Sequence, residues 1–181
     1  MQVLHAPIVV FATVALCLSL SGWSPAAAQP TALTPGTAGI DSTLTQLYRT
    51  FSFEKGHVPD WTKLRTFFLD GASIVDPVRD GVAPHAVGVA AFIAGFRDAV
   101  KNAAKYREGF GERIVATRID SFGYVAHAYV TFEGFVPGEQ GARTRGVDSI
   151  QLILAGEDWK IASFTTQFEQ KGLLLPPRFL R

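Results

Sequence analysis

His127 and Tyr129 stand two apart in Val125-Ala126-His127-Ala128-Tyr129, inside a run that otherwise alternates like a sheet strand. Imidazole titrates near neutrality, and a neighbouring phenol or carboxylate fixes its tautomer, so this pair has the makings of a general acid/base site. Asp76 is the second candidate, a carboxylate at the end of a short extended piece where apolar neighbours would make it a base for proton abstraction. Each has a plainer alternative. His127 can hydrogen-bond a neighbouring strand or sit in a subunit contact, and Asp76 before Pro77 is an ordinary turn initiator. Arg145 has the geometry to clamp a ligand carboxylate or phosphate, or else to pair with Glu133 across a hairpin. Asp148, Thr165, Gln167 and Trp61 complete the set expected to shape a ligand pocket.

Other chemistries lack their parts. The only cysteine is Cys17, and the four histidines, at 5, 57, 85 and 127, show no metal-ligand spacing, so neither a metal site nor a cofactor is expected. No Gly-x-Ser-x-Gly elbow occurs, and Gly109-Phe110-Gly111 opens a strand where a phosphate loop would open a helix.

The residues from Ile8 to Leu20 are nearly all apolar, and Ser24-Pro25-Ala26-Ala27-Ala28 supplies the small residues of an Ala-x-Ala cleavage site. This reads as a secretory signal peptide over 1–28, although no Lys or Arg precedes the apolar run. A membrane span needs about 20 apolar residues, and Ser19, Ser21, Ser24 and Pro25 interrupt this one sooner. Cleavage after Ala28 would remove 28 of the 181 residues and leave 153 without a cysteine. Export to the periplasm or the extracellular space is therefore expected, with a core stable without disulfides and no membrane contact after cleavage. The formal net charge of +1 argues against nucleic acid as a partner.

Residues 29–40, rich in Pro, Gly and Thr, read as a flexible leader before one domain over 41–181. Leu44, Leu47, Tyr48 and Phe51 follow helical spacing, with Asp41 or Ser42 as cap. Asp60 caps a second helix carrying Trp61, Leu64, Phe67 and Phe68 and ending near Asp70-Gly71. An extended piece over 72–76 follows, then a third helix over 86–102 striped by Val89, Phe92, Ile93, Phe96 and Val100. From Gly109 the period becomes two, and extended segments appear at about 112–122, 124–135, 144–154 and 159–167, with short turns between them that require antiparallel neighbours. The pattern is an α+β domain, three helices packed on one face of an antiparallel sheet.

Pro59-Asp60-Trp61 with Lys63-Leu64-Arg65 and Phe68, Val125-Ala126-His127-Ala128-Tyr129, Arg145 to Leu152, Trp159-Lys160-Ile161 and the closing Leu175-Pro176-Pro177-Arg178-Phe179-Leu180 together resemble the nuclear transport factor 2-like (NTF2-like, or SnoaL-like) superfamily. The resemblance covers about Asp41 to the C-terminus and implies a cone, a strongly curved sheet wrapped around a long helix with a pocket at its open end. Relatives of that shape include isomerases, dehydratases, epoxide hydrolases, cyclases and many proteins with no known reaction, and an exported branch of the last kind is the most similar. A small-molecule ligand and a homodimer formed through the sheet are the partners this implies.

Placing Leu154 opposite Trp159 across the Gly156-Glu157-Asp158 turn sets Leu152 against Ile161, Ile150 against Ser163, Asp148 against Thr165 and Gly146 against Gln167. One face is then apolar near the turn and polar at the far end, as a pocket requires, whereas a slip of one residue would bring Lys160 onto it. In the preceding strand, Ala126, Ala128, Val130 and Phe132 form the more apolar row, which on hydrophobicity alone turns His127 away from the helices. A dimer interface on the outer face also wants aromatic residues, so both placements of His127 stay open. Two functions are carried forward: a binding module for a small apolar molecule, and a cofactor-independent isomerase, dehydratase or hydrolase using Asp76, His127 and Tyr129.

Overall fold

The computed structural model describes residues 37–181 except 78, 80, 140 and 142. The expected signal peptide and most of the expected leader lie outside the described residues. Helix α1 spans Thr37–Phe51 and starts four residues ahead of Asp41, because Ile40 extends the buried stripe of Leu44, Leu47, Tyr48 and Phe51. A two-residue strand β1 (Phe53–Glu54) and the short helix α2 (Trp61–Thr66) follow. Asp60 caps α2 as expected, its carboxylate accepting from the Lys63 amide at 2.9 Å.

The second helix stops well short of Asp70. Phe68 belongs to strand β2 (Phe68–Val75), whose partner is the last strand of the chain, and the Ile161 amide donates to the Phe67 carbonyl at 2.8 Å. Pairing across the sheet overrides the helical spacing of Trp61, Leu64 and Phe68, which local pattern alone cannot reveal. Strand β3 (Ala86–Gly88) pairs with β2, so α3 (Val89–Asn102) begins at the first residue of its stripe, three residues later than the expected start at 86.

A 3-10 turn (Ala104–Tyr106) leads into β4 (Gly109–Phe122), β5 (Val125–Phe135), β6 (Thr144–Ala155) and β7 (Asp158–Phe168). These four form the expected antiparallel meander. The curved sheet has seven strands in the order β1-β4-β5-β6-β7-β2-β3, and β2 lies parallel to β7, the one parallel pairing among the described strands. The core lies between the helices and the inner face of the sheet: Leu44, Leu47 and Tyr48 of α1, Leu64 of α2, Val89 and Ile93 of α3, and Ala128, Val130, Phe132, Ile150, Leu152 and Ile161 of the strands are all buried.

Two irregularities decide which side chains reach the interior. One lies between Ile114 and Ala116 of β4, and the other in β7 opposite Gln151 and Leu152. The β6–β7 register holds as expected near the turn, with Leu154 opposite Trp159 and Leu152 opposite Ile161. Beyond Ile161 the strand inserts one residue, Ala162, and the pairs become Ile150 with Phe164, Asp148 with Thr166 and Gly146 with Phe168. An extra residue reverses the facing of all that follows. Phe164, Thr166 and Phe168 therefore take the inner face, and the expected inner residues Thr165 and Gln167 are displaced from it. Close approach at this end requires glycine: a Cβ on Gly146 would stand 2.8 Å from the Phe132 ring and 2.7 Å from the Gln167 carbonyl oxygen.

Candidate functional site

The open end of the cone holds a cavity of about 310 Å³, within the range of small-molecule sites. Its aromatic lining comes from Phe51 of α1, Phe92 and Phe96 of α3, Tyr106 of the 3-10 turn, Phe110 of β4, Phe132 of β5, and Phe164 and Phe168 of β7. The rings support one another, Phe51 meeting Phe96 edge-on at 5.8 Å and Tyr106 meeting Phe110 at 5.2 Å. Such edge contacts fix ring orientation as well as burying area.

Polar groups enter this wall from three strands. Asp148 of β6 is buried, with Tyr48 donating its hydroxyl proton to one carboxyl oxygen and Thr166 donating to the other at 2.6 Å. Burial pushes the Asp148 carboxyl up to about 7, against the opposing pull of the hydrogen bonds from Thr166 and Tyr48. Tyr48 is raised well above the ordinary phenol value, by burial first and then by the charge of Asp148.

Glu112 of β4 is the other acid. Its backbone is fixed to the end of α1, the Glu112 amide donating to Ser52 Oγ at 2.9 Å. Its half-buried side chain lines the cavity, and its carboxyl has no hydrogen-bond partner among the described residues. Burial raises it to about 8; the charge of Asp148 adds to the rise, and Lys105 at the cavity edge opposes it. The two acids thus line one largely apolar space, with the charge of Asp148 felt at Glu112. Among the described residues, no three acidic, imidazole or thiol side chains gather at metal-ligand spacing.

Of the residues singled out from sequence, Asp148 alone holds its expected place with the cavity lining. Thr165 and Gln167 yield to Thr166 and Phe168 for the reason given above. His127 and Tyr129 lie on the opposite face of β5, since Ala126, Ala128, Val130 and Phe132 fill the core. There His127 Nε2 is hydrogen-bonded to Ser149 Oγ at 2.9 Å, and its ring meets Tyr129 edge-on at 4.4 Å. Tyr129 in turn packs on Phe179, whose carbonyl accepts from Thr131. The row thus seats the C-terminal segment against the outer face. His127→Ala is accordingly expected to leave any ligand-induced thermal shift unchanged; a shift abolished in that variant would restore His127 to the site.

Asp76 does not join the cavity either. It is exposed, 3.6 Å from His85 Nδ1, although the adjacent Pro77 lines the pocket. The catalytic set Asp76, His127 and Tyr129 is therefore not brought together. Arg145 faces Glu133 across the β5–β6 pair, but its guanidinium grips Glu169 through two bonds of 2.7 and 3.2 Å. Glu133 is held instead by Arg113 and Arg143. The Leu175 amide, then Arg145, keep Glu169 below the ordinary carboxylate range, so Arg145 secures the start of the C-terminal segment. Trp61 sits between α2 and α3, edge-on to Phe96 at 5.5 Å and beneath the Arg97 guanidinium, behind the cavity wall.

Glu112, Tyr48 and Thr166 were not anticipated. Glu112 did leave a trace in the sequence. It alternates with Phe110 and Ile114, so a charge stands in an apolar row, and an interior acid is the informative exception to burial rules. The β7 bulge left one too: the apolar positions Trp159 and Ile161 are followed by Phe164 and Phe168, a change of parity.

The arrangement, helices closing one side of a curved seven-stranded sheet over an interior cavity, is the nuclear transport factor 2-like fold. Among solved structures, the chain is similar to a nuclear transport factor 2-like protein of unknown function from Shewanella baltica (17% identity, TM-score 0.54, covering 78% of this chain and 99% of that one). It is also similar to a proposed scytalone dehydratase from Novosphingobium aromaticivorans (9% identity, TM-score 0.57, 74% and 84% covered) and to the β subunit of the benzoate 1,2-dioxygenase from Burkholderia mallei (15% identity, TM-score 0.57, 77% and 95% covered). No family model and no curated protein matches the sequence. Similarity at these identities defines the fold and leaves function to the site.

Proposed function

We propose that this chain binds one small, largely apolar molecule inside the cone, with Glu112 as the polar group that meets it. The observation that carries this reading is a cavity-lining carboxyl without a hydrogen-bond partner among the described residues, set in a wall of aromatic rings. Binding fits better than catalysis because both oxygens of Asp148 are taken up by Tyr48 and Thr166, leaving Glu112 as the cavity acid free to meet a ligand. Acid/base sites commonly converge two groups on the reacting atoms. Thermal-shift screening of a panel of small aromatic and alicyclic compounds tests the reading. Hits on the wild type that weaken in Glu112→Gln support it, and hits indifferent to that substitution contradict it.

A second reading, a cofactor-independent enzyme of isomerase, dehydratase or hydrolase type, draws on one observation. An acid raised to about 8 is poised to exchange a proton near neutral pH. Glu112 would then carry the proton in place of Asp76, His127 and Tyr129. Enzyme-dependent deuterium incorporation next to the carbonyl of small aryl ketones in heavy water, lost in Glu112→Gln, would favour this reading over simple binding.

A further inference from the structure

We propose that the molecule accepted by the cavity carries a positive charge: a protonated or quaternary amine on a compact apolar body, the charge set beside Glu112 and the body among the rings. This rests on the pocket reading above and names the ligand class for it. Three observations lead there. Rings of Phe51, Phe92, Phe96, Phe110, Phe132 and Phe164 line the space, and a cation within about 6 Å of a ring centroid is attracted by the negative ring face. The two acids that line the same space, Glu112 and Asp148, bring negative charge, and among the described residues only Asp148 has hydrogen-bond donors to meet it. The one cationic side chain among the described lining residues, Lys105, is exposed, and its ammonium sits 4.7 Å from the Tyr106 ring centroid. An ammonium held by a wall ring already displays, at the cavity's edge, the contact proposed for the ligand.

A neutral ligand would use these parts less fully. It would meet Glu112 in its protonated form and gain nothing from the second acid. A cation instead favours the ionised form and draws the proton off. The charged and titratable groups that bear on Glu112 are Asp148 from β6, Tyr48 from α1 and Lys105 from the 3-10 turn. Only Lys105 opposes a cationic guest.

The test is calorimetric titration of the whole protein with benzyltrimethylammonium and with its neutral near-isostere 2-methyl-1-phenylpropan-2-ol. The cation is expected to bind at least about tenfold more tightly at about pH 9 than at about pH 6, whereas the alcohol should show no such dependence. Glu112→Gln should weaken the cation about tenfold and the alcohol, which loses only a neutral hydrogen-bonding partner, by much less. Lys105→Gln, an exposed change that folding tolerates, should strengthen the cation. Equal affinity for the two compounds at the higher pH, or a cation affinity unmoved in both variants, would overturn the charge assignment and leave the pocket reading standing. Binding of neither compound would count against the pocket itself.

Discussion

Raising the pH from about 4 to about 9 is expected to destabilise the fold by several kcal/mol, opposite to the usual gain as paired carboxylates ionise. The cause is the two cavity acids, Asp148 buried and Glu112 half-buried. Asp148 moves from an unfolded value of 3.8 to about 7, and Glu112 from 4.5 to about 8. A carboxyl whose folded value is raised binds its proton more tightly in the native state. Its stabilisation is complete below the unfolded value and is lost as pH climbs through the folded one. For Asp148 that loss is on the order of 4 kcal/mol, since each unit corresponds to about 1.4 kcal/mol. Urea unfolding at a series of pH values measures it. Asp148→Asn should flatten the decline between about 4 and 7, and Glu112→Gln the part reaching about 8. A wild-type curve that rises over this range would mean that the two acids are solvated.

Phe132→Ala should be the most damaging of the single truncations at the cavity wall. The ring is 2% exposed, tilts against Tyr48 at 6.3 Å, meets Phe168 edge-on at 5.7 Å and covers Gly146. Removing a buried phenyl group costs about 3–5 kcal/mol, or on the order of 10 °C in melting temperature for a domain of this size. The same substitution also opens the cavity toward Tyr48 and should loosen any ligand that the wild type holds. Phe122→Ala is the matched control: that ring is 87% exposed at the β4–β5 turn, and its loss should change stability by less than about 0.5 kcal/mol. Comparable losses in the two variants would show that the core does not lie on the face assigned to it.

The architecture was legible because it rests on repeating signals. The helical stripes of α1 and α3 and the change to period two after Gly109 point to an α+β domain, and Leu154 opposite Trp159 follows from the turn between them. What escaped depends on single residues or on contacts distant in sequence. Ala162 adds one residue to β7 and thereby exchanges Thr165 for Thr166. Phe68 leaves helical spacing because β7, some ninety residues later, supplies its pairing. His127 attracted notice as the residue type most used in proton transfer, yet the more apolar row of β5 had already pointed it outward. Ala126 and Ala128 are small and still fully part of the core. Glu112 sits just after Gly109-Phe110-Gly111, where a strand opening gives no local sign that its side chain turns toward a cavity.

Glu112 and Asp148 line one largely apolar cavity beneath the helices. Carbon-13 nuclear magnetic resonance of the side-chain carboxyl carbons, followed through a pH titration and assigned with Glu112→Gln and Asp148→Asn, tests it most directly. Two transitions are expected, at about 7 for Asp148 and about 8 for Glu112. Both groups titrating near 4, as solvated carboxyls do, would contradict it.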